Sequence, residues 1–202
     1  MADSTDSTWA AVWVGGGSTR MGGAPKGLLL APDGAPIIER TLGLMRQILP
    51  CGHIVLAGVQ PAYAALGVEQ VADQPPGVGP IGGLCGVLER AAAAGAERLL
   101  AVSCDLPYLD LGLLQRLRDH APEAWVVARK VSATKWQPLF ARYRVEPALA
   151  ATRAVIARGE TSLQLVLKEL AARRVELALC AVETAQLTDW DSPSDIQRGP
   201  RG

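Results

Sequence analysis

Short apolar runs alternate along this chain with stretches whose apolar residues recur every three or four positions. Residues 9–14 (WAAVWV), 53–57 (HIVLA) and 98–103 (RLLAVS) are runs of strand length. Such runs, bounded by turn residues, suit strands covered on both faces. Residues 68–72, 125–128, 136–143 and 175–180 predict further strands, and Pro138 favours a sheet edge or a bulge for its strand. Helical spacing marks 36–49, where Ile37, Ile38, Leu42, Met45 and Leu49 share one side and Pro36 suits the first turn. The same spacing predicts helices over 81–94, 110–120, 146–158 and 162–172, the last two separated by Gly159.

Strands alternating with helices of this length imply an α/β domain with a mostly parallel sheet and helices on both faces. A single domain is expected over 9–197, between flexible termini at 1–8 and 198–202. In such folds ligands bind beyond the carboxyl ends of the strands. The unusual residues gather there: 15–26 after the first strand, 73–83 after the third and 105–107 after the next.

Composition narrows the function classes. The 202 residues are 49% hydrophobic and 20% charged, which excludes a wholly disordered chain. Lys+Arg and Asp+Glu are 20 each, so there is no basic surplus for nucleic acid or for an anionic membrane surface. Residues 1–8 are polar and carry Asp3 and Asp6, so no signal peptide is expected, and no apolar run reaches membrane-span length. Cys51, Cys85, Cys104 and Cys180 are far apart, without a CxxC pair. Reduced, mostly buried thiols in a cytoplasmic protein are the expectation. His53 and His120 have no nucleophile partner visible in the sequence.

Four segments carry candidate chemistry. The loop Gly15-Gly16-Gly17-Ser18-Thr19-Arg20-Met21-Gly22-Gly23-Ala24-Pro25-Lys26 combines glycines with two cations. Backbone N–H groups in such a loop approach an anion closely, and Arg20 and Lys26 suit a polyphosphate; a solvated Gly/Ser turn fits the glycines equally well. The loop matches neither GxxxxGK[ST] nor GxGxxG. Asp105, in Cys104-Asp105-Leu106-Pro107, ends an apolar strand. It is placed either to hold Mg²⁺ against substrate phosphates or to cap the next turn. Asp73 opens a loop dense in Pro and Gly that runs through Gly79, Pro80, Gly82 and Gly83, and reads as a ligand loop or a rigid turn. In Asp189-Trp190-Asp191-Ser192-Pro193-Ser194-Asp195, Ser192 and Asp195 read as a helix start, which leaves Asp189 and Asp191 for a metal or ligand.

Together, in this order and over nearly the whole chain, these segments resemble the MobA-type nucleotidyltransferases. That family carries LAGGxSxRMGxxK near its start, and here residues 13–26 match it from the glycines through Ser18, Arg20-Met21-Gly22 and Lys26. Its D…GPLAGL appears as Asp73 and residues 79–84, its CD-x-P as residues 104–107, its QPL-x-x-x-Y as residues 137–143, and its closing N-x-N-T-P-E-D as residues 189–195. The resemblance implies a Rossmann-like fold and transfer of GMP from Mg-GTP to a molybdopterin-type cofactor, with release of pyrophosphate. It implies that Trp13, Val14, Gly15, Gly16, Gly17 and Ser18 lie along the nucleotide, that Arg20 and Lys26 hold the triphosphate, and that Asp73 contacts the nucleotide. It further implies that Asp105 binds Mg²⁺ and that Gly79, Pro80 and Gly82 help shape the base pocket. The protein partners it suggests are molybdoenzymes or cofactor-maturation proteins.

Three departures stand out. Val14 replaces a small Ala, Ala57 stands where the family has a nucleotide-contacting Asn, and Asp189 and Asp191 replace two asparagines. Asp191 is therefore a candidate second metal ligand. Ala57 leaves open a cytidylyltransferase of the same family, although Gly15 and Gly79-Pro80 favour GTP. The departures together leave open a non-catalytic nucleotide- or pterin-binding module.

Overall fold

The structure, a computed structural model, describes residues 7–14, 25–49, 53–190 and 195. Seven strands form one sheet in the order β3-β2-β1-β4-β6-β5-β7. They are β1 (Thr8–Trp13), β2 (Ile54–Ala57), β3 (Glu69–Val71), β4 (Arg98–Ser103), β5 (Val126–Lys130), β6 (Trp136–Arg144) and β7 (Arg174–Glu176). Every strand points the same way except β6, which is antiparallel to both neighbours. The helices are α1 (Ile37–Ile48), α2 (Pro80–Ala93), α3 (Leu111–Asp119), α4 (Val145–Ala157), α5 (Leu163–Glu169) and α6 (Ala181–Gln186).

The central strand shows why the sheet is covered on both sides. Along β1, Trp9, Ala11 and Trp13 enter a core built with α2, α4 and α5. Ala10, Val12 and Val14 enter a second core with α1 and α3 on the opposite face. Successive strand side chains point to opposite faces, so a run that is apolar at every position must be buried twice. β4 repeats the division, with Leu99 and Ala101 on the first face and Leu100 and Val102 on the second.

Two expectations are corrected and one is decided between its alternatives. β1 begins at Thr8, which is buried and paired with Arg98, because the Ser7 carbonyl accepts from the Glu97 amide and extends the ladder. The strand carrying Pro138 is not at an edge, since β6 lies between β4 and β5. Its ladder with β4 ends at Phe140, and residues 137–140 stand opposite the single Arg129 of β5, so the proline falls in a bulge, the other place expected for it. The last strand is shorter than 175–180. β7 ends at Glu176, opposite Ala128, the last β5 residue before the register shift, and the chain goes on to α6.

Candidate active site

β1 and β4 lie side by side and end together, at Trp13 and Ser103. The Cys104 amide donates to the Trp13 carbonyl at 3.1 Å, which carries the pairing one residue further and delivers Asp105 to the carboxyl edge of the sheet. Ser103 Oγ donates to Asp105 Oδ1 at 2.5 Å, and Lys26 Nζ lies 3.5 Å from Asp105 Oδ2. Side-chain exposures of 21% for Lys26 and 15% for Asp105 leave the pair in partial contact with solvent, open to a charged ligand. The Trp190 amide donates to the Asp105 carbonyl at 3.1 Å, so the segment carrying Asp189 runs beside this aspartate. Asp105 does not cap the next helix. That role falls to Asp110, whose Oδ1 accepts from the Leu113 amide at 2.9 Å at the start of α3.

Lys26 is placed by a buried anchor. It opens a short 3₁₀ turn, Lys26–Leu28, and the next amide, Gly27, donates to the Tyr63 hydroxyl at 3.1 Å. A Cβ on Gly27 would stand 2.9 Å from that hydroxyl oxygen and 3.0 Å from Ile38 Cβ, so only glycine admits the contact. Burial, and then the nearby Cys104 sulfur, push the Tyr63 phenol up from its ordinary value. Burial, followed by the Asp105 carboxylate, pushes the Cys104 thiol up to about 12 against the opposing pull of Lys26. Both groups therefore stay protonated at neutral pH, and Cys104 is no nucleophile.

The second carboxylate at this edge is Asp73, two residues beyond β3. Burial pushes its carboxyl above the ordinary carboxylate value. Helix α2 packs hard against the loop that carries it. A Cβ on Gly86 would stand 2.3 Å from the Ala72 carbonyl oxygen, and one on Gly82 would stand 2.6 Å from that of Pro75. The space left by Gly82 thus admits the protein's own backbone. Gly83 is lined by Trp13 Nε1 at 3.1 Å and Asp73 Oδ1 at 3.3 Å from the position of a Cβ. Gly79, with φ 76° and ψ −155°, turns the chain into Pro80 at the first position of α2, and no side chain caps that helix start.

The structure brings together Lys26, Asp105, Asp73, Gly79, Pro80 and the ends of β1 and β2 along one edge. It does not bring the side chains of Trp13, Val14 and Ala57 to the surface. They are 4%, 6% and 1% exposed, packed in the two cores, so any contact these residues make with a ligand is through the backbone. Gly15, Gly16, Gly17, Ser18, Arg20 and Asp191 lie outside the described residues. Sequence reasoning missed Ser103 and Tyr63. Ser103 was within reach, because a residue two before Asp105 at the end of a strand points to the same side. Tyr63 reaches Gly27 across a separation of 36 residues and left no local signal. Among the described residues, no three His, Cys, Asp or Glu side chains converge as a metal cage. No described helix is long and apolar enough to cross a membrane.

Residues 10–175 match the family model described as the MobA-like NTP transferase domain. The chain is 29% identical over its full length, and over 98% of the relative's, to the probable molybdenum cofactor guanylyltransferase of Opitutus terrae. It is 31% identical to the molybdenum cofactor guanylyltransferase of Pseudomonas entomophila, over 90% of this chain and 92% of that one. Among solved structures it is similar to the molybdopterin-guanine dinucleotide biosynthesis protein A of Archaeoglobus fulgidus. That likeness has a TM-score of 0.69 at 20% identity and covers 94% of this chain and 95% of the other.

Proposed function

Because this chain belongs to the MobA-like NTP transferase family, we propose that it moves GMP from GTP to the terminal phosphate of a molybdopterin-type cofactor. The products are the guanine dinucleotide cofactor and pyrophosphate. The observation that carries this reading is the Lys26–Asp105 pair, a cation and a carboxylate 3.5 Å apart at the carboxyl edge of a parallel sheet. A phosphate oxygen of the acceptor attacks the α-phosphorus of GTP, a new P–O bond forms, and the bond to the β-phosphate breaks with departure of pyrophosphate. The nucleophile is already ionised at neutral pH, so no general base is required. Positioning and charge neutralisation carry the chemistry.

Each residue then has a task. Lys26 leaves Asp105 for the triphosphate and holds it as charge moves onto the leaving group. Ser103 fixes the rotation of the Asp105 carboxylate, and the Gly27–Tyr63 contact fixes the backbone from which Lys26 extends. The uncapped start of α2 supplies backbone N–H groups beside Asp73 that suit an anionic or polar nucleotide edge. Asp105 fits Mg²⁺ by donor chemistry, since it offers hard carboxylate oxygen and this ion typically takes one or two protein carboxylates together with substrate phosphates. When bound, the ion neutralises phosphate charge and orients the reacting oxygens. The described residues fit an ion that arrives with the nucleotide rather than one held by a protein cage. The reaction draws on soluble small molecules, which fits a cytoplasmic enzyme, and molybdoenzymes or their maturation proteins are the natural receivers of its product.

The test supplies molybdenum cofactor with Mg-GTP and, in parallel, with Mg-CTP, and follows pyrophosphate and the dinucleotide. Product with GTP alone is the expected outcome. Product with CTP would overturn the base assignment. Nucleotide binding without any product would move the protein to a non-catalytic role.

A further inference from the structure

The β5–β6 hairpin carries cations that the reaction as described does not use. Between Glu123 and Glu146 the chain has Arg129, Lys130, Lys135, Arg142 and Arg144 and not one Asp or Glu, in a protein whose charges balance overall. Arg142 is buried and donates to the Arg118 and Ala121 carbonyls behind α3, and Arg144 lies 3.7 Å from Glu123. The other three have no carboxylate partner among the described residues. Lys130 and Lys135 are exposed and Arg129 half-exposed, around a tip whose Val131 is 50% exposed. Like charges left together without partners repel, so a fold that keeps them gains only when an anion arrives.

The hairpin base is rigid. Gln164 accepts from the Trp136 amide at 3.0 Å and donates to the Trp136 carbonyl at 2.8 Å. Arg174 lies 4.2 Å from the centre of the Trp136 ring and Lys130 6.0 Å from it. The register shift between Ala128 and Lys130 leaves residues 137–140 of β6 opposite Arg129 alone, and bulges re-aim side chains near active sites.

Topology says which anion. β5 runs parallel to β4 with β6 between them, so the hairpin stands at the same sheet edge as Asp105. Beyond the last β4–β6 pair, Val102–Phe140, β4 leads on to Asp105, and the same end of β6 is the one that carries Trp136. β5 lies two strand spacings, roughly 10 Å, from β4 across the sheet. Asp73 lies on the other side of Asp105, beyond β1 and β2. A nucleotide spanning Asp73 to Asp105 covers that half of the edge, and the second substrate must reach the α-phosphorus from the half over β6 and β5.

We propose that Arg129, Lys130 and Lys135, on the hairpin braced at Trp136, form the binding site for the anionic acceptor substrate, a phosphomonoester of a fused-ring cofactor. This assignment rests on the reaction proposed above. The cations draw in the acceptor's negative groups and hold its terminal phosphate on the Asp105 side, opposite the departing pyrophosphate.

The experiment measures pyrophosphate release by the full-length enzyme while molybdenum cofactor and GTP are varied separately. It compares wild type with Lys130→Glu/Lys135→Glu, the milder Lys130→Gln/Lys135→Gln, and Lys168→Glu on α5 as a charge control. The Glu pair is expected to raise KM for the acceptor at least tenfold and the Gln pair severalfold, with KM for GTP unchanged and the control like wild type. Added salt should raise the acceptor KM of wild type more than that of the Glu pair. An acceptor KM unchanged in both pairs, or a rise shared equally by GTP and the control, overturns the site. Absence of pyrophosphate from the wild-type enzyme would instead overturn the reaction on which it rests.

Discussion

Asp73 and Asp105 stand at the same edge of one sheet and are treated in opposite ways. Asp105 is compensated, with Ser103 Oγ on one oxygen and Lys26 on the other. Asp73 is held against α2 and the Gly83 backbone, and burial disfavours its charge. A carboxylate supplied with partners adds stability, whereas one that is desolvated without such help detracts from it until a ligand provides the missing interactions. The contrast supports the proposed division of labour, with Asp105 at the transfer centre, where charge must be exchanged, and Asp73 in recognition, where a polar ligand edge relieves the penalty.

The comparison breaks most readily at Asp105. Asp105→Ala should lower turnover by at least ~10²-fold, the scale of losing one electrostatic contributor in an active site, and a pyrophosphate assay checks it. Next comes the packing that holds Asp73 in place. A methyl at Gly86 meets the Ala72 carbonyl, so Gly86→Ala should destabilise the fold by about 1–3 kcal/mol, read by denaturant titration. It should also weaken nucleotide binding by displacing the Asp73 loop. Tyr63→Phe removes the acceptor for the Gly27 amide and should cost about 1–2 kcal/mol of stability. Its KM for GTP should rise through Lys26, and an unchanged KM would separate the anchor from the site.

The smallest effect has the most informative sign. Asp73→Asn should raise the melting temperature at neutral pH while weakening nucleotide binding. A carboxyl whose value is raised by folding contributes its full stability below the unfolded value of 3.8 and loses it as pH rises through the folded value. The advantage of the Asn variant should therefore be complete at neutral pH and shrink as pH falls towards the ordinary Asp range. Melting curves from pH 4 to 8 check this, and a variant less stable than wild type throughout would remove the distinction between the two aspartates.

Much of this was legible in the sequence because it depends on local chemistry. The apolar run of β1 announced a strand buried on both faces, and Lys26, Asp73 and Asp105 were marked by their position after strands. What escaped was set by contacts between distant segments. Gly82 looked like room for a ligand, but the neighbour it admits is the Pro75 carbonyl, which only the packing of α2 on the loop reveals. Trp13, Val14 and Ala57 sit beside the site in sequence, yet strand alternation turns their side chains into the cores. Tyr63 serves Lys26 from a 3₁₀ turn, Pro61–Leu66, that no periodicity announced. Pro138 suggested an edge or a bulge, and only the strand order decides between them.

The most direct measurement of the central claim is the affinity for GTP with and without Mg²⁺, taken by calorimetry on wild type, Asp105→Ala and Asp73→Asn. The account predicts that Asp105→Ala loses the Mg²⁺ dependence of binding, while Asp73→Asn binds more weakly under both conditions and keeps it. A Mg²⁺ dependence undiminished in Asp105→Ala would contradict the assignment of that aspartate to the transfer centre.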